Sequence, residues 1–236
     1  LAPLEDKEMT FTEHLEDLRH CLLIILISVI AGSLIIWGWS GEFLSWLARP
    51  AGGLIFITPT EVFFTRLKVA MYGGFLLSLP VILYQIWSFT ACALSKDFRK
   101  WLFLILPFSY VLFLAGVGLA VFMVVPSAIK FLLGYGSTYV KPSLSVAAYL
   151  EFVTMLSLAF GIIFQIPLVT ILLNRLGLVS YENLKARRRY IYLGGFIVAA
   201  LLTPGPDVFS QLALGFPIIV FFELSLLVIR FSPPQQ

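Results

Sequence analysis

The sequence predicts an all-α integral membrane protein with six transmembrane helices. Of its 236 residues, 60% are hydrophobic and only 12% are charged, and the mean hydropathy of +0.97 is far above that of soluble domains. The chain also contains six long apolar runs, and the loops between them alternate in cation content. Since one bilayer crossing takes about 20 residues, we expect residues 1–236 to form a single six-span membrane domain.

The six predicted spans differ in length. The fifth provides about 21 Å of helix, against a hydrocarbon core of about 30 Å, and we expect both final spans to be short. Prolines inside or beside the spans remove backbone donors and bend helices, so we expect a bent, cupped bundle. The spans cover 21–39, 68–91, 101–125, 148–173, 190–204 and 209–229, and the prolines are Pro80, Pro107, Pro126, Pro167 and Pro217.

The cation-rich loops predict the orientation of the chain. They are the segment 92–100, with Lys96, Arg99 and Lys100, and the segment 174–189, with Arg175, Lys185, Arg187, Arg188 and Arg189. The positive-inside rule places both segments, and both termini, on the cytoplasmic side. The preferred explanation of the run Arg187 to Arg189 is this topogenic role. The alternative is that these arginines bind a ligand directly at the membrane surface.

Residues 1–20 predict a cytoplasmic amphipathic segment before the first span. Thr10 and Glu13 have capping-box spacing, and leucines recur at helical spacing on one face. The other face carries Glu13, Glu16, Asp17 and His20. Two explanations of these acids stay open. They either match the helix dipole or form a receptor for a cationic ligand.

Several polar residues lie within or beside the apolar spans and need an explanation, because charges in hydrocarbon are costly. Glu61 and Asp207 lie beside prolines at span edges, where an exposed loop charge and a functional role are comparably good explanations. Glu223 has the stronger claim on a partner. Gln165 is deep and neutral, and it either ties neighbouring helices together or contacts a partner's helix. The full set is Glu61, Glu151, Gln165, Asp207 and Glu223.

Composition argues against several classes of function. Two cysteines and two histidines make neither a disulfide framework nor a metal-binding pattern, so we expect no metal and no cofactor. The net charge of +3 gives no indication of nucleic-acid binding. An intramembrane protease would need a nucleophile and base or a metal motif. A secondary transporter of a small solute is the alternative function, although the two halves show no internal repeat.

Four stretches together resemble the TatC family of the twin-arginine protein translocase. They are HLEDLR (14–19), LPVILYQIW (79–87), FQIP (164–167) and LLTPGPDVFSQ (201–211). The resemblance implies a glove-like fold of six helices without catalytic chemistry. It further implies a receptor that binds the twin-arginine signal peptides of folded precursors and recruits single-span subunits for export driven by the proton-motive force. Other copies of the chain and membrane lipid are further implied partners, in a bacterial inner membrane or a thylakoid.

The resemblance also implies roles for individual residues. For signal peptides the candidates are Glu16, Asp17, Arg19 and Asp97, and for partner subunits and other intramembrane polar contacts they are Gln165, Asp207, Gln211 and Glu223. Pro50 and Glu61 match the pattern of the first external loop. The sequence departs from the family in the loop 92–100, where Cys92 replaces a proline and Phe98 replaces an acid. Asp97, one residue earlier, either substitutes for that acid or leaves recognition to the N-terminal acids.

Overall fold

A computed structural model describes residues 11–51, 53–92, 96–134, 144–203 and 208–231, without the side chains of 11–14 and 90–104. The described chain is almost entirely helical. The α-helices are α1 (Phe11–Trp37), α2 (Ser40–Ala48), α3 (Pro59–Cys92), α4 (Lys96–Leu119), α5 (Val125–Leu133), α6 (Val146–Ile163), α7 (Ile166–Arg175), α8 (Tyr181–Ala186), α9 (Arg188–Leu202) and α10 (Val208–Phe231). A 3-10 turn, Arg49–Ala51, follows α2, and a π-helical turn, Ala120–Val124, joins α4 to α5.

Within the described residues, five helical stretches are long and apolar enough to cross a membrane. They are Leu15–Trp37, Pro59–Phe89, Ile105–Leu133, Val146–Arg175 and Val208–Phe231. The fifth predicted span corresponds to α9, whose 15 residues extend about 22 Å, shorter than the hydrocarbon core. The all-helical membrane class is confirmed, and a count of six crossings stays a prediction.

The last span is longer than the sequence pattern predicted. Helix α10 has 24 residues, or about 36 Å, so the expectation of two short final spans holds for α9 and is wrong for α10. Pro217 and Glu223 interrupt the apolar run, but the helix continues through both. Glu223 has polar partners on α9.

Helices α3 and α6 begin and end differently from the apolar runs. Helix α3 starts at Pro59, nine residues before the predicted span, because proline is favoured in a first helical turn and helical hydrogen bonds need no apolar side chains. The fourth span divides at Gln165 into α6 and α7, with Pro167 in the first turn of α7. A proline cannot donate to the preceding turn, which accounts for the break.

The packed residues form two compact units, and each is described by itself. The first comprises 1–40 and 67–110, and the second comprises 41–66 and 111–236. In the first, α1 and α3 approach closely through small residues. A Cβ on Gly74 would lie 2.3 Å from the backbone nitrogen of Ser33, and one on Gly32 would lie 2.7 Å from the carbonyl oxygen of Gly74. The Ser78 hydroxyl donates to the carbonyl of Ser28 at 2.6 Å.

The second unit is built around α6 and α10. The buried face of α6 includes Val153, Leu156 and Phe160, which recur at helical spacing. Helix α10 packs against α7 and α9. Gly195 of α9 leaves room for Ile218 of α10, and Gly215 of α10 leaves room for Phe196 of α9.

A short parallel strand pair also lies in the second unit. Strand β1 (Leu54–Ile55) pairs with β2 (Leu144–Ser145), and Leu54 is opposite Leu144. The pair joins the segment before α3 to the start of α6. These strands were not predicted, because a two-residue pairing between distant segments has no periodic sequence pattern.

Candidate functional site

The acids predicted to bind a cationic ligand lie near the start of α1. The helix begins at Phe11 and continues into the first span without a break, so the amphipathic segment and the span are one helix. Glu16 and Arg19 are exposed and Asp17 is half-buried. Thr10 and the side chain of Glu13, which make the predicted capping box, lie outside the described residues.

The apolar face of this segment is exposed. Leu15, Leu18 and Leu22 have 47%, 37% and 56% of their surface accessible. Residues three and four apart share one side of a helix, so these leucines form a stripe that leads into the span. This exposed stripe is suited to contact with lipid or with another apolar surface, while the carboxylates beside it remain available to a polar ligand.

Two further predicted acids, Asp97 for signal peptides and Asp207 for partner subunits, lie outside the described side chains. Asp97 lies in the first turn of α4, and its side chain and that of Phe98 are outside the described side chains. Asp207 lies outside the described residues altogether. The hypothesis that Asp97 replaces the acid missing at Phe98 therefore stays a prediction.

Glu61 is hydrogen-bonded to the backbone of two helical N-termini. Its Oε2 accepts from the backbone N–H of Ile57 at 2.7 Å and from that of Thr58 at 3.4 Å. Its Oε1 accepts from the N–H of Ala147, at the start of α6, at 2.9 Å. We call this arrangement, together with the pair β1–β2, the Glu61 clasp. The first turn of a helix has N–H groups without intrahelical partners, so one carboxylate satisfies donors at the starts of both α3 and α6.

Pro50 belongs to the same region of the second unit. It is exposed in the 3-10 turn that ends α2. Just before it, the carbonyl of Leu47 accepts a hydrogen bond of 2.7 Å from the hydroxyl of Tyr149, a buried residue of α6. The segment that was predicted as the first external loop, 40–67, is thus attached to α6 by the hydrogen bond from Tyr149 to Leu47 and by that from Ala147 to Glu61.

Gln165 and Gln211, two of the predicted partner-binding residues, are both half-buried. Gln165 occupies the break between α6 and α7, where its N–H donates to the carbonyl of Ile162 at 2.9 Å and its carbonyl accepts from Val169 at 3.0 Å. Gln211 lies in the first turn of α10. The side-chain amide of Gln165 is thus placed at an irregular point of the backbone, as the position of Pro167 predicted.

Glu223 pairs with residues of the same chain. Its Oε2 lies 2.9 Å from Nη2 of Arg188, and its Oε1 accepts a hydrogen bond from the hydroxyl of Tyr192. Arg188 therefore has a structural role beyond orienting the chain. The apolar pattern around Glu223 indicated that it needs a partner but did not identify Arg188.

The spacing of the last two helices could have revealed the ion pair. Arg188 lies 14 residues before the end of α9 at Leu202, and Glu223 lies 15 residues after the start of α10 at Val208. In two antiparallel helices joined by a short connection, residues that lie nearly the same number of positions from the connection face each other. Phe196 and Gly215, which are in contact, follow the same relation.

The chain matches a known family over most of its length. The family model described as "Sec-independent protein translocase protein (TatC)" matches residues 13–217. The chain belongs to the TatC family. A TatC of Carboxydothermus hydrogenoformans is 39% identical over 99% of this chain and 98% of its own length. A TatC of Escherichia coli is 37% identical over 97% of this chain and 90% of its own length.

Solved structures agree with the family assignment. A crystal structure of the twin-arginine translocase receptor TatC in DDM superposes with a TM-score of 0.84, at 35% identity, over 92% of this chain and 99% of that one. The resemblance carried by the four motifs is confirmed, and the family is a protein translocase rather than an enzyme.

Relatives also indicate the membrane. They include the Synechocystis TatC, 37% identical over 88% of this chain and 82% of its own length. A chloroplastic TATC of Pisum sativum is 37% identical over 91% of this chain and 62% of its own length. The chain is a multi-pass protein of a bacterial inner membrane or a thylakoid.

Proposed function

We propose that this member of the TatC family is the receptor and core subunit of a twin-arginine translocase, and that it binds the twin-arginine signal peptides of folded precursors. The proposal rests above all on the match to a TatC receptor structure over 92% of the chain. The exposed carboxylates on α1 support it. A guanidinium pair is held best by carboxylates that accept charge-assisted hydrogen bonds.

Asp17 is the best candidate among these acids. Glu16 has Arg19 three residues later on the same helix, a spacing at which opposite charges can pair. Asp17 is followed at the corresponding positions by His20 and Cys21. It is also half-buried, which reduces the competition from water. Successive side chains on a helix point about 100° apart, so we expect Glu16 and Asp17 to bind different arginines of the peptide.

Substituting Asp17 tests the receptor proposal. We expect Asp17→Asn to weaken binding of a twin-arginine peptide about ten-fold, because one charge-assisted hydrogen bond is lost from a site that is only partly shielded. Affinity is measured with a labelled signal peptide and the purified protein, and the same peptide with two lysines should bind more weakly than the parent. Glu42→Gln removes an exposed acid from α2 and is the matched control.

Two results would count against the receptor proposal. If the Asp17→Asn and Asp97→Asn variants both bind the peptide like the parent, the site lies elsewhere. If the di-lysine peptide binds as tightly as the di-arginine peptide, recognition is not of the twin-arginine kind. Phe98→Glu should retain binding, since it introduces an acid where the family has one.

Recruitment of single-span subunits is the second part of the proposed function. Gln165 is the candidate that the family resemblance indicates for it, a half-buried residue at the break between α6 and α7 whose side-chain amide carries both donors and an acceptor. A polar residue of a partner helix could bond to it, and such contacts contribute about 0.6 to 2 kcal/mol in membranes.

We therefore expect Gln165→Leu to weaken partner recruitment about three- to thirty-fold while signal-peptide binding is unchanged. Recruitment is measured by site-specific crosslinking to the partner's helix in membranes. Gln165→Asn, which keeps an amide, should retain part of it. If Gln165→Leu instead unfolds the protein in detergent, the residue ties α6 and α7 internally and the docking role is wrong.

A further inference from the structure

Helical hydrogen bonds continue through the junction between α8 and α9. Arg187 joins the two helices, and its N–H donates to the carbonyl of Asn183 at 3.1 Å. Its own carbonyl accepts from the N–H groups of Tyr190 at 3.0 Å and Ile191 at 3.2 Å. Arg187 itself departs from helical geometry, with φ −95° and ψ 7°, so the two helices meet at a bend, and the exposed cations Lys185 and Arg189 lie one on each side of it.

The cations around this junction differ in their neighbours. Arg188 is paired with Glu223 of α10, so its charge is largely balanced. Lys185 and Arg189 are exposed and lie over aromatic rings instead. Nζ of Lys185 is 5.8 Å from the ring centre of Tyr181, and the Arg189 guanidinium is 4.8 Å from that of Tyr190. Ring contacts do not neutralise the positive charges, and the exposed cations Lys185, Arg187 and Arg189 outnumber the exposed acid Glu182, so the junction attracts anions.

An exposed apolar stripe continues from Arg189 along α9. Leu193, Ile197 and Leu201 follow Arg189 at steps of four residues and are 61%, 53% and 74% exposed. The opposite side of α9, with Gly195 and Ala199, is buried. Gly195 faces Ile218 of α10, so the stripe faces away from α10.

We infer that Lys185, Arg189 and Tyr190 bind the headgroup of one anionic phospholipid, whose acyl chains lie along Leu193, Ile197 and Leu201. Charge complementarity selects this occupant. A twin-arginine peptide is cationic and is repelled, whereas a phosphodiester accepts hydrogen bonds from both cations. Tyrosine is favoured at headgroup depth, and the stripe beneath it distinguishes a lipid from a soluble anion. The inference does not depend on the proposed receptor function.

Native mass spectrometry of the purified protein in neutral detergent tests the inference. With equal amounts of phosphatidylglycerol and phosphatidylcholine, we expect one phosphatidylglycerol to be retained preferentially. Lys185→Gln and Arg189→Gln should each lower its affinity about five-fold, the effect typical of one basic residue near an anionic headgroup. Both side chains are exposed, and gel filtration checks that the variants stay folded.

Arg187→Gln is the matched control for a site rather than a diffuse field. It removes the same charge from an exposed residue two positions from Arg189, at the bend where the backbone departs from the helix. We expect its phosphatidylglycerol affinity to stay within about two-fold of the parent. An equal loss in Arg187→Gln and Arg189→Gln overturns the inference, because the cations would then act only through their summed charge.

Two further measurements separate a lipid from other anions. Glu182, exposed three residues before Lys185, repels a phosphate there, so Glu182→Gln should raise the phosphatidylglycerol affinity, and a decrease contradicts the inference. Inorganic phosphate in large excess should not displace the lipid, since it has no acyl chains for the stripe on α9. Displacement by phosphate means that the junction binds free anions, and the lipid assignment is then wrong.

Discussion

Replacing Gly74 with leucine should separate α1 from α3 and lower the free energy of unfolding by about 3 kcal/mol, the upper part of the range for overpacked sites. The first added atom, Cβ, would already lie 2.3 Å from the backbone nitrogen of Ser33 and 2.4 Å from its Oγ. A backbone atom cannot turn aside as a side chain can, so the helices must move apart. The measurement is the thermal unfolding midpoint of the purified protein in detergent.

Two variants make the Gly74 result specific. Gly194→Ala in α9 is the control, because a Cβ there meets nothing within 4 Å, and we expect it to melt close to the parent. Ser33→Gly combined with Gly74→Ala should recover only part of the loss seen for Gly74→Ala alone, since it removes the Oγ contact but not the contact with the backbone nitrogen. A Gly74→Leu protein that melts like the parent would mean that α1 and α3 do not pack as described.

Breaking the Arg188–Glu223 pair should destabilise the protein more than removing both charges. Arg188→Leu leaves Glu223 with the Tyr192 hydroxyl as its described polar partner, and we expect a cost of about 2 to 3 kcal/mol. This is below the 3 to 5 kcal/mol typical of fully buried pairs, because the two side chains are 39% and 37% exposed.

A double-mutant cycle isolates this interaction. Arg188→Leu with Glu223→Leu should be nearly as stable as the parent, because no charge is left unpaired in an apolar environment. Arg187→Leu is the control for loss of a cation near the same helix start, and we expect it to be neutral. Additive single and double effects, measured as unfolding free energies in denaturing detergent, would show that the pair contributes no coupling.

The apolar runs located the membrane-spanning helices because the need for apolar side chains in hydrocarbon is local and can be recognised in short windows. They did not give the helix ends. Helix α3 starts at Pro59 rather than near residue 68. The π-helical turn Ala120–Val124 is as apolar as the helices on either side, so the sequence pattern does not distinguish it from them. The single-domain organisation, the orientation and the cupped shape stay predictions.

The candidate site was predictable only where a residue type indicates its own chemistry. Asp17 and Glu16 stand out as acids on the polar start of a helix that continues into an apolar span. Glu61 was treated as either an exposed charge or a functional one, yet it bonds to the N–H of Ala147, a contact that depends on tertiary packing. Arg188 was assigned to orientation although it pairs with Glu223. A local pattern cannot reveal such partners, since they lie 35 or 86 positions apart.

The Glu61 clasp sets an order of events during synthesis. The N–H of Ala147 comes 86 residues after Glu61, so a growing chain exposes the start of α3 well before its partner on α6 exists. Closing so long a loop is slow compared with forming helices. The third span, Ile105–Leu133, is therefore made before the clasp can close. Until translation has passed Ala147, Oε1 of Glu61 is left to water, whereas its Oε2 can already accept from the N–H groups of Ile57 and Thr58 at the start of α3.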